Sequence, residues 1–268
     1  MRTTHWVMTA ILGLLLTGCA GISTAPTPEA RQALAPTGKL RVGLQLGNPL
    51  NVMRDSASGE MTGVGFDLGK ELARRMGVLF EPVVYPSGGA VVDGAKSGQW
   101  DVAFLSVSVS AAQANEMDFT APHVELDRGY LVPSGSSISA VADVDRVGVR
   151  VAVQEKGGTD IFLSRVLKHA VMVRGSGEAG AFELLKSGRA DVFAAGKGAL
   201  FEFSDQLPGF RVLNGRLATD QGVMAIPKGR DLGMAYARKF VEDAKSEGLV
   251  KAAIERAGIR GAVVAPLQ

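Results

Sequence analysis

Two distant stretches of the chain follow the same plan. Gly94–Leu105 reads GAKSGQWDVAFL and Leu184–Ala195 reads LLKSGRADVFAA. Each is the end of a helix, a Ser-Gly turn, an aspartate, and then a nearly unbroken apolar run. A short apolar run behind a helix is the signature of a strand covered on both faces, as in a parallel sheet flanked by helices. That constraint sets the fold class as α/β.

The surroundings agree with it. Before the first stretch, Lys39–Leu46 alternates and is β-rich, and Asp67–Gly77 carries Leu68, Leu72 and Met76 at helical spacing. Asp67 is the expected cap of that helix and Gly77 its stop. Val78–Tyr85 reads as a second strand and Gly89–Gly98 as a short helix. Around the second stretch, strand and helix alternate again from Val149 to Gly215. The expected organisation is two α/β lobes, with a linker at Pro133–Ser139 (PSGSSIS). A strand at Gln221–Gly229 is followed by helices over Asp231–Glu247 and Leu249–Ala257. If this tail returns to the first lobe, lobe 1 is 38–133 and 222–268, lobe 2 is 134–221, and two chain crossings join them as a hinge. Ligands of such sheets sit in the interlobe cleft, beside strand ends and helix N-termini.

Composition excludes some functions. The chain of 268 residues carries 29 Lys and Arg against 27 Asp and Glu, net +2, with no long run of either sign. It shows no electrostatic footprint for nucleic acid. Three histidines and one cysteine make no metal-ligand constellation. The glycines lie in turns and lack the context of a nucleotide fingerprint, so no cofactor is expected.

The lone cysteine is informative. Residues 1–19 have a basic Arg2, an apolar run from Trp6 to Leu16, and then Leu16-Thr17-Gly18-Cys19. The run is short for a membrane span and has the layout of a secretory signal. Its end resembles the lipobox of bacterial lipoproteins, whose cysteine is acylated, with palmitate among the chains expected. Cys19 is the expected lipidation site, and residues 20–37, rich in Ala, Thr and Pro, are read as a flexible tether, with a short helix docked on the body around Glu29–Leu34 as the alternative. The chain is therefore expected on the periplasmic side of the envelope, lipid-anchored. Ala20, which is not aspartate, leaves both the cell membrane and the outer membrane open.

Taken in order, GKLRVGLQLGNPL, GVGFDLGKELARRMGV, GAKSGQWDVAFLSVSVS, MDFTAPH, VRVAVQEKGGT and LLKSGRADVFAA resemble the family-3 extracellular solute-binding proteins, polar-amino-acid receptors of bacterial ABC importers. The similarity runs from Gly38 to Gly258. It implies the two-lobe periplasmic-binding-protein-like fold of type II, no catalysis, a monomer, and ABC permease subunits as partners.

The resemblance also places candidate ligand-binding residues. Ser106 and Ser108 fall where relatives offer hydroxyl and backbone groups. Gln113 falls where they offer an arginine to an α-carboxylate. Gly196 falls where an acidic residue takes the α-ammonium. Gln45, Asn48 and Leu50 lie in and before the first-lobe loop, with Leu50 at a position usually aromatic. In the second lobe, Gly158 and Thr159 open a helix whose amides suit an anion or carbonyl oxygen, with Thr159 otherwise a helix cap. Lys197 is the nearby positive charge. Glu125 and Asp127 follow the loop into the strand VELDRGYLV, where alternation puts them opposite Leu126 and Arg128. His123 stands at a frequent tyrosine position and is expected to be packed or exposed rather than functional.

A missing Arg–carboxylate fork removes two charge-assisted hydrogen bonds worth roughly 1.5–3 kcal/mol each. The expected ligand is a small polar solute other than a standard α-amino acid. Two alternatives remain. One is a sensory or envelope lipoprotein that uses the fold without transport. The other is a dehydratase-like enzyme, which needs a cleft acid and a cation, Glu125 and Lys197 being the available pair.

Overall fold

The computed structural model describes residues 25–107 and 116–268. Cys19, Ser108, Gln113 and the signal segment lie outside the described residues. Helix α1 (Pro28–Leu34) precedes β1 (Lys39–Gln45), the short pair β2 (Met53–Arg54) and β3 (Met61–Thr62), α2 (Val64–Met76), β4 (Leu79–Tyr85), α3 (Gly88–Lys96) and β5 (Val102–Val107). Then come β6 (Met117–Phe119), the long β7 (Val124–Pro133), β8 (Arg150–Gln154), α4 (Gly158–Val166), β9 (Val171–Gly175), α5 (Gly177–Lys186), β10 (Val192–Gly196) and α6 (Lys197–Gln206). The chain closes with β11 (Phe210–Val212), the long β12 (Ala218–Pro227), α7 (Asp231–Ser246), α8 (Leu249–Arg256) and β13 (Ala262–Val264).

One hydrogen-bonded path, β4-β1-β5-β12-β7-β10-β8-β9, runs through the molecule. Its two ends are parallel triplets, β4-β1-β5 and β10-β8-β9, each a strand–helix–strand product. Between them β12 is antiparallel to β5, β7 to β10, and β7 to β12. The two long strands are the crossings from one lobe to the other. Each lobe has its own apolar clusters: Leu40, Val42, Leu72, Phe104 and Phe240 belong to the first, and Val151, Leu163, Val192 and Phe193 to the second. None of the helices described is long and apolar enough to cross a membrane.

Three details depart from the sequence reading. The flexible tether expected over 20–37 does not extend through its described part, because Pro28–Leu34 is a helix packed on the body. Thr27 caps it, its hydroxyl accepting from the Ala30 N–H at 3.2 Å. Pro28 supplies a preset φ at the first turn, and Leu34 is fully buried against Gly233 of α7. Helix α2 starts at Val64, so Asp67 sits in its first turn rather than at its cap, and pairs with Arg256. Third, Thr159 is not a cap: Gly157 holds that position in α4.

Candidate functional site

Four chain segments converge where β7 and β12 cross. From the first lobe, β1 ends at Gln45 and the chain turns through Gly47 (φ 80°) into the loop 48–52. That loop is pinned from behind. The first N–H groups of α2 donate to its carbonyls, Val64 to Pro49, Gly65 to Leu50 and Phe66 to Asn51, at 3.0–3.1 Å. Here orphan helix donors are satisfied by loop backbone instead of a side-chain cap. Gly63 permits this approach: a Cβ on it would lie 2.5 Å from the Asn51 carbonyl oxygen, and its φ is 146°.

With the loop fixed, Asn48 turns its amide toward the end of β5. Its Oδ1 accepts from the Leu50 N–H at 2.9 Å, and its Nδ2 donates to Ser106 Oγ at 3.1 Å. Asn51, almost wholly buried, donates to the same oxygen at 3.1 Å. A serine oxygen has two lone pairs and one hydrogen. Both lone pairs are used, so among the described residues the Ser106 hydroxyl is poised as a donor.

The second lobe contributes the start of α4. The chain leaves β8 through a turn in which Lys156 takes a left-handed conformation (φ 59°). Asp160, buried and paired with Arg174, accepts from the Lys156 N–H at 2.9 Å and fixes the turn. The Arg174 guanidinium holds the Asp160 carboxyl below its ordinary range, against the opposing effect of burial.

The crossing strands supply charge. On β7, Arg128 grips Asp220 of β12 with two parallel bonds, Nε to Oδ2 at 2.8 Å and Nη2 to Oδ1 at 2.6 Å. This is a diagonal pair on one face of the ladder. The other face holds directly opposed pairs, Thr219 donating to Asp127 at 2.8 Å and Gln221 to Glu125 at 3.2 Å.

The resulting cleft of about 910 Å³ is lined by Gln45, Asn48 and Ser106 from one lobe, Gly158 and α4 from the other, and Arg128 and Asp220 on the crossing strands. A smaller cavity of about 200 Å³ adjoins it and shares Arg128, Gly158 and Asp220. It adds Gln154, Thr159, Glu178 and Gly196. Among the described residues no His, Cys, Asp and Glu side chains gather as a metal site.

The structure therefore gathers Gln45, Asn48, Ser106 and Gly158 around the large cleft, and places Thr159 with Gly158 in the smaller adjoining cavity. It places two candidates elsewhere. Leu50 is 3% exposed and belongs to the first lobe's core, with only its N–H serving the site. Lys197 lines neither cavity: its stem lies against Gly129 and its ammonium is 3.6 Å from Asp127, on the far face of β7. Glu125 and Asp127 likewise line neither cavity, although Gln221 and Thr219, which are bonded to them, line the larger one. Arg128 and Asp220 were not picked out from the sequence. Alternation separated Arg128 from Asp127, but only the pairing with β12 shows that Arg128 is held by Asp220 at the cleft.

The sequence profile of the bacterial extracellular solute-binding proteins, family 3, matches residues 40–257. The chain belongs to that family. A related protein, the ABC transporter glutamine-binding protein of Bacillus subtilis (strain 168), is 22% identical over 250 residues, covering 89% of each chain. Among solved structures, an ancestral cationic amino acid solute-binding protein superposes with a TM-score of 0.69 at 22% identity, covering 84% of this chain and 98% of that one. A binding component of an ABC transporter from Wolinella succinogenes DSM 1740, complexed with lysine, gives 0.68 at 24%, covering 82% and 95%. These superpositions show a common two-lobe fold.

Proposed function

We propose that this family member is the lipid-anchored, substrate-binding component of an ABC-type importer. It captures a small polar solute other than a standard α-amino acid and presents it to the permease as a monomer. Lobe 1 (38–133 and 222–268) and lobe 2 (134–221) close about the crossings β7 and β12. The observation that carries this reading is the cleft. Ser106 and Asn48 of one lobe and Gly158 of the other line one space, and the lobes are joined there by two strands. A hinge of that kind lets a ligand with contacts on both sides favour the closed state. No bond is made or broken.

The test is a thermal-shift and small-angle-scattering screen with amino acids, amines, organic acids, sugars and short peptides. A true ligand at about 100 times its Kd adds about 2.7 kcal/mol, and each kcal/mol raises Tm by roughly 2–4 °C at this size. The same ligand reduces the radius of gyration and is recovered chemically unchanged. Ser106→Ala lowers its affinity about tenfold, the worth of one good hydrogen bond. A panel that leaves both Tm and dimensions unchanged overturns the reading, and a ligand that is consumed makes the protein an enzyme.

A further inference from the structure

We propose that the solute is a small carboxylate anion with an apolar body, and that Arg128 grips its carboxylate. This rests on the cleft being a solute site, as proposed above, and names the chemical class that site takes.

The first argument is the geometry of one guanidinium. It has five N–H donors in a planar fork. Nε and one hydrogen of Nη2 are spent on Asp220. The opposite edge, Nη1 with the second Nη2 hydrogen, makes no hydrogen bond among the described residues and is a ready fork for a second carboxylate. The Arg128 side chain is 15% exposed, so Asp220 holds it in place while water reaches little of it. Both residues line the large cleft.

Gly158 is the second argument. A Cβ at this position would lie 2.8 Å from Arg128 Nη2. Glycine is what allows the first turn of α4 to stand directly beside the guanidinium. The bonds to Asp220 stop the arginine from simply swinging away.

Charge and polarity give the third argument. The large cleft is lined by Arg128, Arg165 and Asp220, two positive groups against one negative, a net of +1. Arg165 has no acidic partner among the described residues, and Asp220 is already committed to Arg128. An anion neutralises the charges that line this cleft; Glu125, without a cationic partner among the described residues, is bonded to the lining Gln221 but lines neither cavity itself. Glu178 lies in the smaller cavity, beyond the Arg128–Asp220 pair. Beside Arg165, the cleft face of α4 exposes Ile161 (51%) and Val166 (43%), with Phe162 between them and Val223 of β12 opposite. Apolar side chains left in water at a binding cleft suit the hydrocarbon part of a ligand.

Three probes of equal chain length decide the charge: hexanoate, norleucine and hexylamine, titrated calorimetrically into the purified protein at pH 7. Hexanoate is expected to bind tightest. Arg128→Gln weakens it about a hundredfold, Gly158→Ala about tenfold, and Arg165→Ala less than tenfold. The double variant Arg128→Gln/Asp220→Asn removes the stranded carboxylate and keeps a neutral pair, so its fold is secure and its binding still lost. Norleucine binding tightest, or hexylamine binding through Glu178 as read by Glu178→Gln, overturns the anion assignment and leaves the importer reading intact. Hexanoate binding that survives the double variant overturns the role of Arg128. If hexanoate, butanoate and benzoate all fail while another class shifts Tm, this inference is wrong alone; if every class fails, the proposed function falls with it.

Discussion

In each lobe an arginine in the first half of a parallel strand holds an aspartate at the head of its neighbour. Arg41 of β1 gives Asp101 its backbone N–H at 3.1 Å and two guanidinium bonds at 2.9 and 2.8 Å. Arg150 of β8 does the same for Asp191, at 2.8, 3.1 and 2.7 Å. In return each aspartate's N–H donates to the arginine carbonyl, at 2.8 and 2.9 Å. These are the two aspartates of the repeated helix–turn–strand pattern. What differs is their cover. The Asp101 side chain is fully buried and also meets Arg230, which follows β12, at 3.5 Å. Asp191 is 36% exposed and its arginine 42%. The returning tail of the chain seals the first clamp and leaves the second in water.

The largest effect that would break this comparison is at Asp101. Removing the buried carboxylate takes the acceptor from the Arg41 N–H and from its guanidinium, whose side chain is 24% exposed, at a cost of about 3 kcal/mol. Asp101→Ala is expected to lower the urea midpoint by that equivalent and to expose Trp100 to quencher. A cost no greater than that of the matching change in lobe 2 would mean that burial is not what separates the clamps.

Next comes Leu34, the anchor of the N-terminal helix that only lobe 1 possesses. It is fully buried and presses on Gly233. Leu34→Ala costs about 3 kcal/mol by lost burial and cavity, and makes the segment before Lys39 sensitive to protease. Protection unchanged by the substitution would return Pro28–Leu34 to the role of a tether.

These residues also show what was legible. The strands and helices of both lobes could be read because period 2 and period 3.6 are written directly into the side chains. The cap and apolar face of Pro28–Leu34 were present too, in Thr27, Ala30 and Leu34, but an Ala-, Thr- and Pro-rich composition reads as linker until α7 supplies a surface to dock on. The hairpin β2–β3 and the strand β13 are too short to carry a period. At the site, Asn48 and Ser106 came from their places in a family pattern, and Gly158 from its place at a helix start. Arg128 did not, since alternation sorts a strand into two faces without saying which faces the ligand. Lys197 sat at the expected strand end, yet its stem follows Gly129 to Asp127 on the other side.

A third contrast is in pH response. His123, at the start of β7 in lobe 1, is fully buried, edge-on to Phe104 at 5.4 Å, with neither ring nitrogen hydrogen-bonded among the described residues. Burial, and then the nearby charge of Lys245, lower its pKa from 6.5 to about 3. Lys245 is itself paired with Glu242. The unfolded chain binds the extra proton first, so stability is intact above pH 6.5 and falls as pH drops through the window toward 3. The slope is about 1.4 kcal/mol per pH unit, or roughly 2 kcal/mol lost by pH 5. His123→Phe keeps the ring and removes this slope. Equal Tm losses from pH 7 to pH 5 in wild type and variant would show that His123 is not the acid-sensitive group.

The smallest effect is expected at Asp191, and it sharpens the comparison most because its chemistry matches that at Asp101. The Arg150 guanidinium, followed by backbone donation, holds the Asp191 carboxyl below its ordinary range, and burial opposes them. A depressed carboxylate stabilises above its unfolded pKa and loses that contribution as pH falls through the folded one. More than a third exposed, this pair is screened by solvent, and its removal costs about 1 kcal/mol or less. Asp191→Ala should therefore shift the urea midpoint slightly, and 0.5 M salt should shrink the difference from wild type further, since exposed pairs are screened within a few ångströms at that ionic strength. Salt should leave the Asp101→Ala deficit unchanged, because no ions enter between Arg41 and a carboxylate with no accessible surface. If salt erases both deficits alike, the two clamps are electrostatically equivalent and the tail that covers the first contributes packing alone.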